Sequence, residues 1–257
     1  MLEARDCPAL NYFFSPTGLS IMGTPDNANG GLTVNVTAPN LITIMDGAAT
    51  PLMNIPFGGN LRITTSGADD IVNIVLGAGA GISGNLDVNT NGGVDNVMVT
   101  GSGGNTIGGN VNYTGVNTTG AAFTNVIIGG SLTMNSATEN FDQTAVFTAT
   151  TIGGNFTYLG GNNPLSENIT FGTTTVGGNA YVNMAGGVNA FLLTDPTSTI
   201  GGSLTFVGGS SDDTVQLDGF VGGSVNLQLS GSLLAGNSVT VAATGGVGGS
   251  FTVFGGF

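Results

Sequence analysis

The sequence predicts an all-β chain, a single-stranded parallel β-helix (β-solenoid) of about ten coils of roughly 24 residues each. Three observations predict it. A unit made of Gly, a small residue and an apolar-x-apolar triplet recurs ten times along the 257 residues. A further bulky apolar residue stands four positions before the triplet in every copy but the first. Glycine occurs 47 times without the strict three-residue period of collagen, which assigns it to corners rather than to a triple helix.

The copies begin with Gly30-Gly31-Leu32-Thr33-Val34, then Gly59-Asn60-Leu61-Arg62-Ile63 and Gly84-Asn85-Leu86-Asp87-Val88. Later triplets start at Val111, Leu132, Phe156, Ala180, Leu204, Val225 and Phe251, at intervals of 21 to 26 residues. The outer triplet positions are apolar and the middle one is polar or Tyr, the alternation of a half-buried strand. The Gly is expected at a tight corner with positive φ, where Cβ would clash. The Asn or Ser after it is expected to bond its own backbone and to stack on its equivalent one coil away.

A second strand follows each corner unit, usually after Asp or Asn, as in Asp70–Ile74, Asp95–Val99 and Asp213–Leu217. The apolar residue before each Gly-Gly, such as Ile82, Ile152 or Val221, forms a third, short side. One three-sided turn cannot bury its own apolar side chains, so turns must stack into one continuous core. Handedness is taken as right-handed, the commoner class. Residues 28–257 then form the repeat domain, and residues 1–27 an N-terminal segment that either caps it or donates a strand to a neighbour.

Charge narrows the function. The chain has no Lys, His or Trp, and its two basic residues, Arg5 and Arg62, face 15 acidic ones for a net charge of -13. Phosphate binding needs clustered cations, so nucleic acid and anionic membrane surfaces are excluded as partners. With 40% apolar and 7% charged residues the chain is not a disordered polyanion. No run approaches the ~18 to 20 apolar residues of a spanning helix, and membrane insertion is not expected. The Ala9–Phe14 run, broken by Asn11, is a poor secretory signal, which leaves a mature form or another export route. Cys7 is the single cysteine and reads as an unpaired thiol or an intermolecular bridge.

Without His or Lys there is no conventional base to activate a Ser or Thr nucleophile. The doublets Asp69-Asp70 and Asp212-Asp213 fall at the same point of two coils and read as strand-leading turn carboxylates rather than a glycosidase pair. With Asp95, Glu139, Asp142 and Asp218 they are the candidates for calcium, but the Gly-rich nonapeptide of calcium β-rolls is missing. No catalytic residue, cofactor or metal is expected. Thr133, Thr157, Thr205 and Thr252 share an outward column with Arg62, Asp87, Asn112, Tyr181 and Asn226, an ordinary solvated face rather than an ice-binding ladder.

These Gly-Gly-Asn and Gly-Gly-Ser units, over residues 28 to 257, resemble the solenoid repeats of bacterial surface and secreted proteins. The opening Leu2-Glu3-Ala4-Arg5-Asp6-Cys7-Pro8-Ala9 is similar to the short LExRxxPA motif near the N-terminus of many planctomycete surface proteins. The resemblance implies an extracellular, cell-surface location and a structural role.

The ends carry the functional expectation. An uncovered solenoid end offers unpaired strand groups to other chains. The last unit runs into Phe254-Gly255-Gly256-Phe257 inside a coil, while Asn11-Tyr12-Phe13-Phe14 and Leu19-Ser20-Ile21-Met22 precede the first. Tyr12, Phe13, Phe14, Leu19 and Ile21 at one end, with Phe251, Val253, Phe254 and Phe257 at the other, are the candidate inter-subunit contacts. The leading expectation is an extracellular structural subunit that stacks head to tail on copies of itself into a fibre or surface layer. The alternative is a monomeric adhesin or carbohydrate-binding β-helix with a glycan partner; a glycan-active enzyme comes third.

Overall fold

The computed structural model describes residues 10–47, 51–115, 118–136, 142–161, 166–229 and 236–255; Cys7, Glu139 and Phe257 lie outside them. Five N-terminal strands are β1 (Asn11–Ser15), β2 (Gly18–Gly23), β3 (Leu32–Ala38), β4 (Leu41–Asp46) and β5 (Leu52–Pro56). Beyond them the chain climbs as a parallel β-solenoid with almost no helix.

Side A stacks the corner triplets: β2, then Asn60–Thr65, Leu86–Thr90 and onward to Phe251–Gly255, each parallel to the next. Side B stacks β3, Ile71–Leu76 and the strands up to Ser238–Val241. Side C holds two-residue strands such as Gly81–Ile82 and Thr151–Ile152. The long strands Asp95–Ile107 and Thr118–Ile128 run across the corner and serve sides B and C together.

Four expectations are corrected. The regular turns number about seven rather than ten. The first supposed corner unit is not one, because Leu32-Thr33-Val34 pairs with Val72-Asn73-Ile74 on side B. The first strand of the parallel stack on side A is β2, with Leu19 level with Leu61 and Ile21 with Ile63, so the solenoid begins before residue 28. Both readings obey the same alternation, which does not say on which side of a coil a strand lies.

The third correction concerns the corner glycines. Of those heading the side-A triplets from Gly59 onward, only Gly59 has positive φ, at 102°. The others are required by proximity. A methyl on Gly109 would overlap Asn85 Oδ1 and stand 2.8 Å from the Gly84 carbonyl carbon; on Gly153 it would be 2.5 Å from the Gly129 oxygen. Coils about 4.8 Å apart leave no room there for Cβ.

The following Asn or Ser does not bond its own backbone but reaches to the next coil. Asn60 Oδ1 accepts from the Asn85 amide and Asn85 Oδ1 from the Asn110 amide, each at 2.8 Å. The ladder continues through Asn110, Ser131, Asn155, Asn179, Ser203 and Ser224 to the Ser250 amide.

Inside, the alternate residues of sides A and B form one continuous core. Its middle is a column of rings, Phe123, Phe147, Phe171 and Phe191 on successive side-B strands, with centroids 5.0 to 5.4 Å apart. Phe156 meets Phe147 and Phe171 edge-on from side A.

Gly178→Ala should cost about 1–3 kcal/mol in denaturant unfolding by forcing neighbouring coils apart. Gly236→Ala, with nothing within 4 Å of the new methyl, should leave the midpoint unchanged. Phe171→Ala should cost about 3–5 kcal/mol because the ring column cannot close over the gap.

Candidate functional site

At the C-terminal end the strand Phe251–Gly255 lies over Val225–Leu229. The register sets Phe251 over Val225 and Val253 over Leu227, both fully buried core residues. Phe251 and Val253 therefore hold core positions, yet each is 43% exposed. Phe254 points outward and is exposed. On side B, Val239 and Val241 continue the columns of Val215 and Leu217, and Val241 is exposed. Among the described residues nothing covers the apolar axis at this end, and no strand pairs with its outer edge.

At the N-terminal end β1 turns back on β2 through Pro16-Thr17 and pairs antiparallel. Tyr12 stands opposite Ile21 and Phe14 opposite Leu19, so both face the axis, Tyr12 half-buried and Phe14 exposed. Phe13, opposite Ser20, projects from the lateral face and is 58% exposed. Leu19 and Ile21, expected to contact a neighbour, are instead buried in the chain's own first coil. Leu52 and Met53 on β5 are exposed beside them on side B, and no expectation covered them. The hairpin turn Pro39-Asn40, where Asn40 takes φ 54°, marks β4, the strand on which β5 pairs.

The two ends are stepped. Side A has one strand, β1, outside β2, whereas side B has two, β4 and β5, outside β3. At the far end the step reverses, because side A carries Phe251–Gly255 beyond the coil whose side-B strand is Ser238–Val241. Sides A and B each hold eleven strands among the described residues.

The strand-leading carboxylates lie inside the rod. Asp70, Asp95, Glu167 and Asp213 are buried with Gln143 and Asn189 at the corner where side B begins. Of each Asp doublet, the second member points in. Asp95 Oδ1 accepts from the Asp70 amide at 2.9 Å, Asp70 from Asn27 Nδ2 at 3.0 Å, and Asp213 from Asn189 Nδ2 at 3.0 Å. Gly160-Gly161 and Gly208-Gly209 wrap Glu167 and Asp213, and a methyl on Gly160 or Gly208 would strike the carboxylate. Burial pushes the Asp95 carboxyl up to about 6, against hydrogen bonds from Thr90 and the Asp70 amide and with the Asp70 and Asp69 charges. Burial raises Asp70 as well. Among the described residues no three His, Cys, Asp or Glu side chains come together as a metal site.

A cleft opens on the outer face of side A near the N-terminal end. Phe13, Ser20, Asn60, Arg62, Asn85 and Asp87 line a space of about 320 Å³. It runs into a second of about 300 Å³ that shares Arg62 and Asp87 and adds Asn112 and Thr114. The interior cavity beside Tyr113, Gln143 and Tyr158 is about 10 Å³, room for one water at most. The cleft sets the exposed ring of Phe13 beside Arg62 and Asp87, residues that the sequence does not place together.

The fold defines the chain as a parallel β-solenoid repeat protein. Compared with known protein families, curated proteins and solved structures, it matches none.

The raised Asp95 carboxyl fixes a sign for pH dependence. The folded state holds this proton more tightly than the unfolded chain, so its stabilising contribution is complete below about pH 4 and is lost as pH rises through about 6. By linkage, stability at pH 5 should exceed that at pH 7 by about 1 kcal/mol. Asp95→Asn should reduce that difference in paired denaturant titrations.

Proposed function

We propose that this protein is a non-catalytic, extracellular structural subunit that stacks head to tail on copies of itself into a fibre or surface layer. The complementary step of the two ends carries the reading. Shifted by eleven strands along the axis, a second copy brings β1 beside Phe251–Gly255 on side A and β5 beside Ser238–Val241 on side B. The columns of sides A and B then continue with the same rise.

The side-A junction is an antiparallel pair of two five-residue strands. Side chains alternate faces, so the inward sets must match. Phe251 falls beside Phe14 and Val253 beside Tyr12, with Thr252 and Phe13 outside. The junction extends the axial core and satisfies two exposed edges, the strand addition that sheet edges favour. Because the contact is heterologous and does not close, it propagates. The likeness to bacterial surface repeats supports the extracellular setting.

Negative-stain electron microscopy at neutral pH should show filaments with an axial repeat of about 53 Å, eleven strand spacings. Val253→Lys and Phe14→Lys each block one end and should yield short rods. Mixed together they should give dimers and nothing longer, read by light scattering. Wild-type protein that stays a short rod at every concentration would sink this reading and put the carbohydrate-binding alternative, which the lateral cleft favours, in first place.

A further inference from the structure

We propose that the lateral cleft centred on Phe13, Arg62 and Asp87 binds a neutral oligosaccharide. The site lies on the face that end-to-end stacking leaves open, so it does not depend on assembly.

The strand register builds the site. Phe13, Ser20, Arg62, Asp87 and Asn112 occupy one outward row, since each is level with the next across successive side-A strands. The row crosses five strands, a run of about 19 Å at four strand spacings. It brings together an aromatic from the folded-back first strand and polar groups from three later coils. The two joined clefts lie along this row, the shape of an extended ligand crossing the strands.

The chemistry along the row is graded. Phe13 offers an exposed ring face, which suits the apolar C–H face of a pyranose. Arg62 is exposed, and its guanidinium makes no hydrogen bond or ion pair among the described residues. It presents donors in a fixed fork. Asp87 has one oxygen held by Asn112 Nδ2 at 2.7 Å, which orients the carboxylate and leaves Oδ2 as an acceptor. A donor fork beside a held acceptor matches neighbouring hydroxyls, each of which both gives and takes a hydrogen bond.

Charge selects the neutral class. Arg62 lies level with Asp87, and the chain carries a net charge of -13, so a polyanion meets repulsion that one guanidinium does not offset. A neutral saccharide pays no such penalty. Its ring stacks at Phe13 and its hydroxyls meet Arg62, Asp87 and Asn112.

Titration calorimetry with gluco-, xylo- and manno-oligosaccharides, and with polygalacturonate as the anionic comparator, tests the site on wild-type protein and on the Val253→Lys variant. Binding of at least one neutral oligosaccharide is expected in both. Phe13→Ala and Arg62→Ala should each weaken it about tenfold with unchanged circular dichroism and melting. Tyr181→Ala, further along the same row, should bind as wild type does. No binding by any neutral oligosaccharide, binding untouched by both cleft variants, or preference for polygalacturonate would overturn the proposal.

Discussion

The close approach of successive coils at the Gly-Gly corner is the constraint on which the rest of the rod depends. Strands about 4.8 Å apart can be stacked through a sharp bend only if nothing projects between them. At Gly109 and Gly178 the space a methyl would take is filled by the carbonyl and amide oxygens of the coil before. The Asn or Ser beside each glycine turns that proximity into a hydrogen bond from one coil to the next. Corner and ladder set one rise for all three sides. Apolar alternation on sides A and B then generates a core without any long-range instruction beyond repetition.

The same rise explains why the ends matter. A coil inside the rod is covered above and below, whereas Phe251 and Val253 keep core positions with one face bare. At the other end antiparallel strands replace the parallel stack, and they cover the first coil without making its outer surface polar: Phe14, Leu52 and Met53 remain exposed. Capping and display are thus combined in one short segment. The buried carboxyl row, by contrast, is internal architecture. Asp70, Asp95 and Asp213 tie the start of each side-B strand to its neighbour, and burial raises the proton affinity of the first two.

Much of this was legible in the residues because the repeat makes local rules cumulative. From Gly59 onward every corner triplet lies on side A and every predicted second strand on side B. The misreading at Leu32 arose where two sides of the coil share one pattern, and only pairing with Val72 separates them. The role of glycine was misassigned for a related reason: a residue demanded by an adjacent coil and one demanded by its own φ are identical in sequence. Leu19 and Ile21 were read as contacts for a neighbour because β2 lacks the small polar residue after its glycine and so escaped the repeat. The cleft could not be read at all, since Phe13 and Arg62 meet only after β1 folds back on β2.

The column of phenylalanines has a mechanical consequence. Each coil touches only the coils beside it, so a pull on the two chain termini loads one interface at a time and peels the rod from its ends. The aromatic contacts run from Phe123 to Phe206, which leaves the outer coils joined by smaller side chains and the central ones by ring contacts, mostly edge-on. Resistance to tension is therefore graded along the axis. The outer coils act as yielding elements that lengthen under load while the central segment keeps its shape.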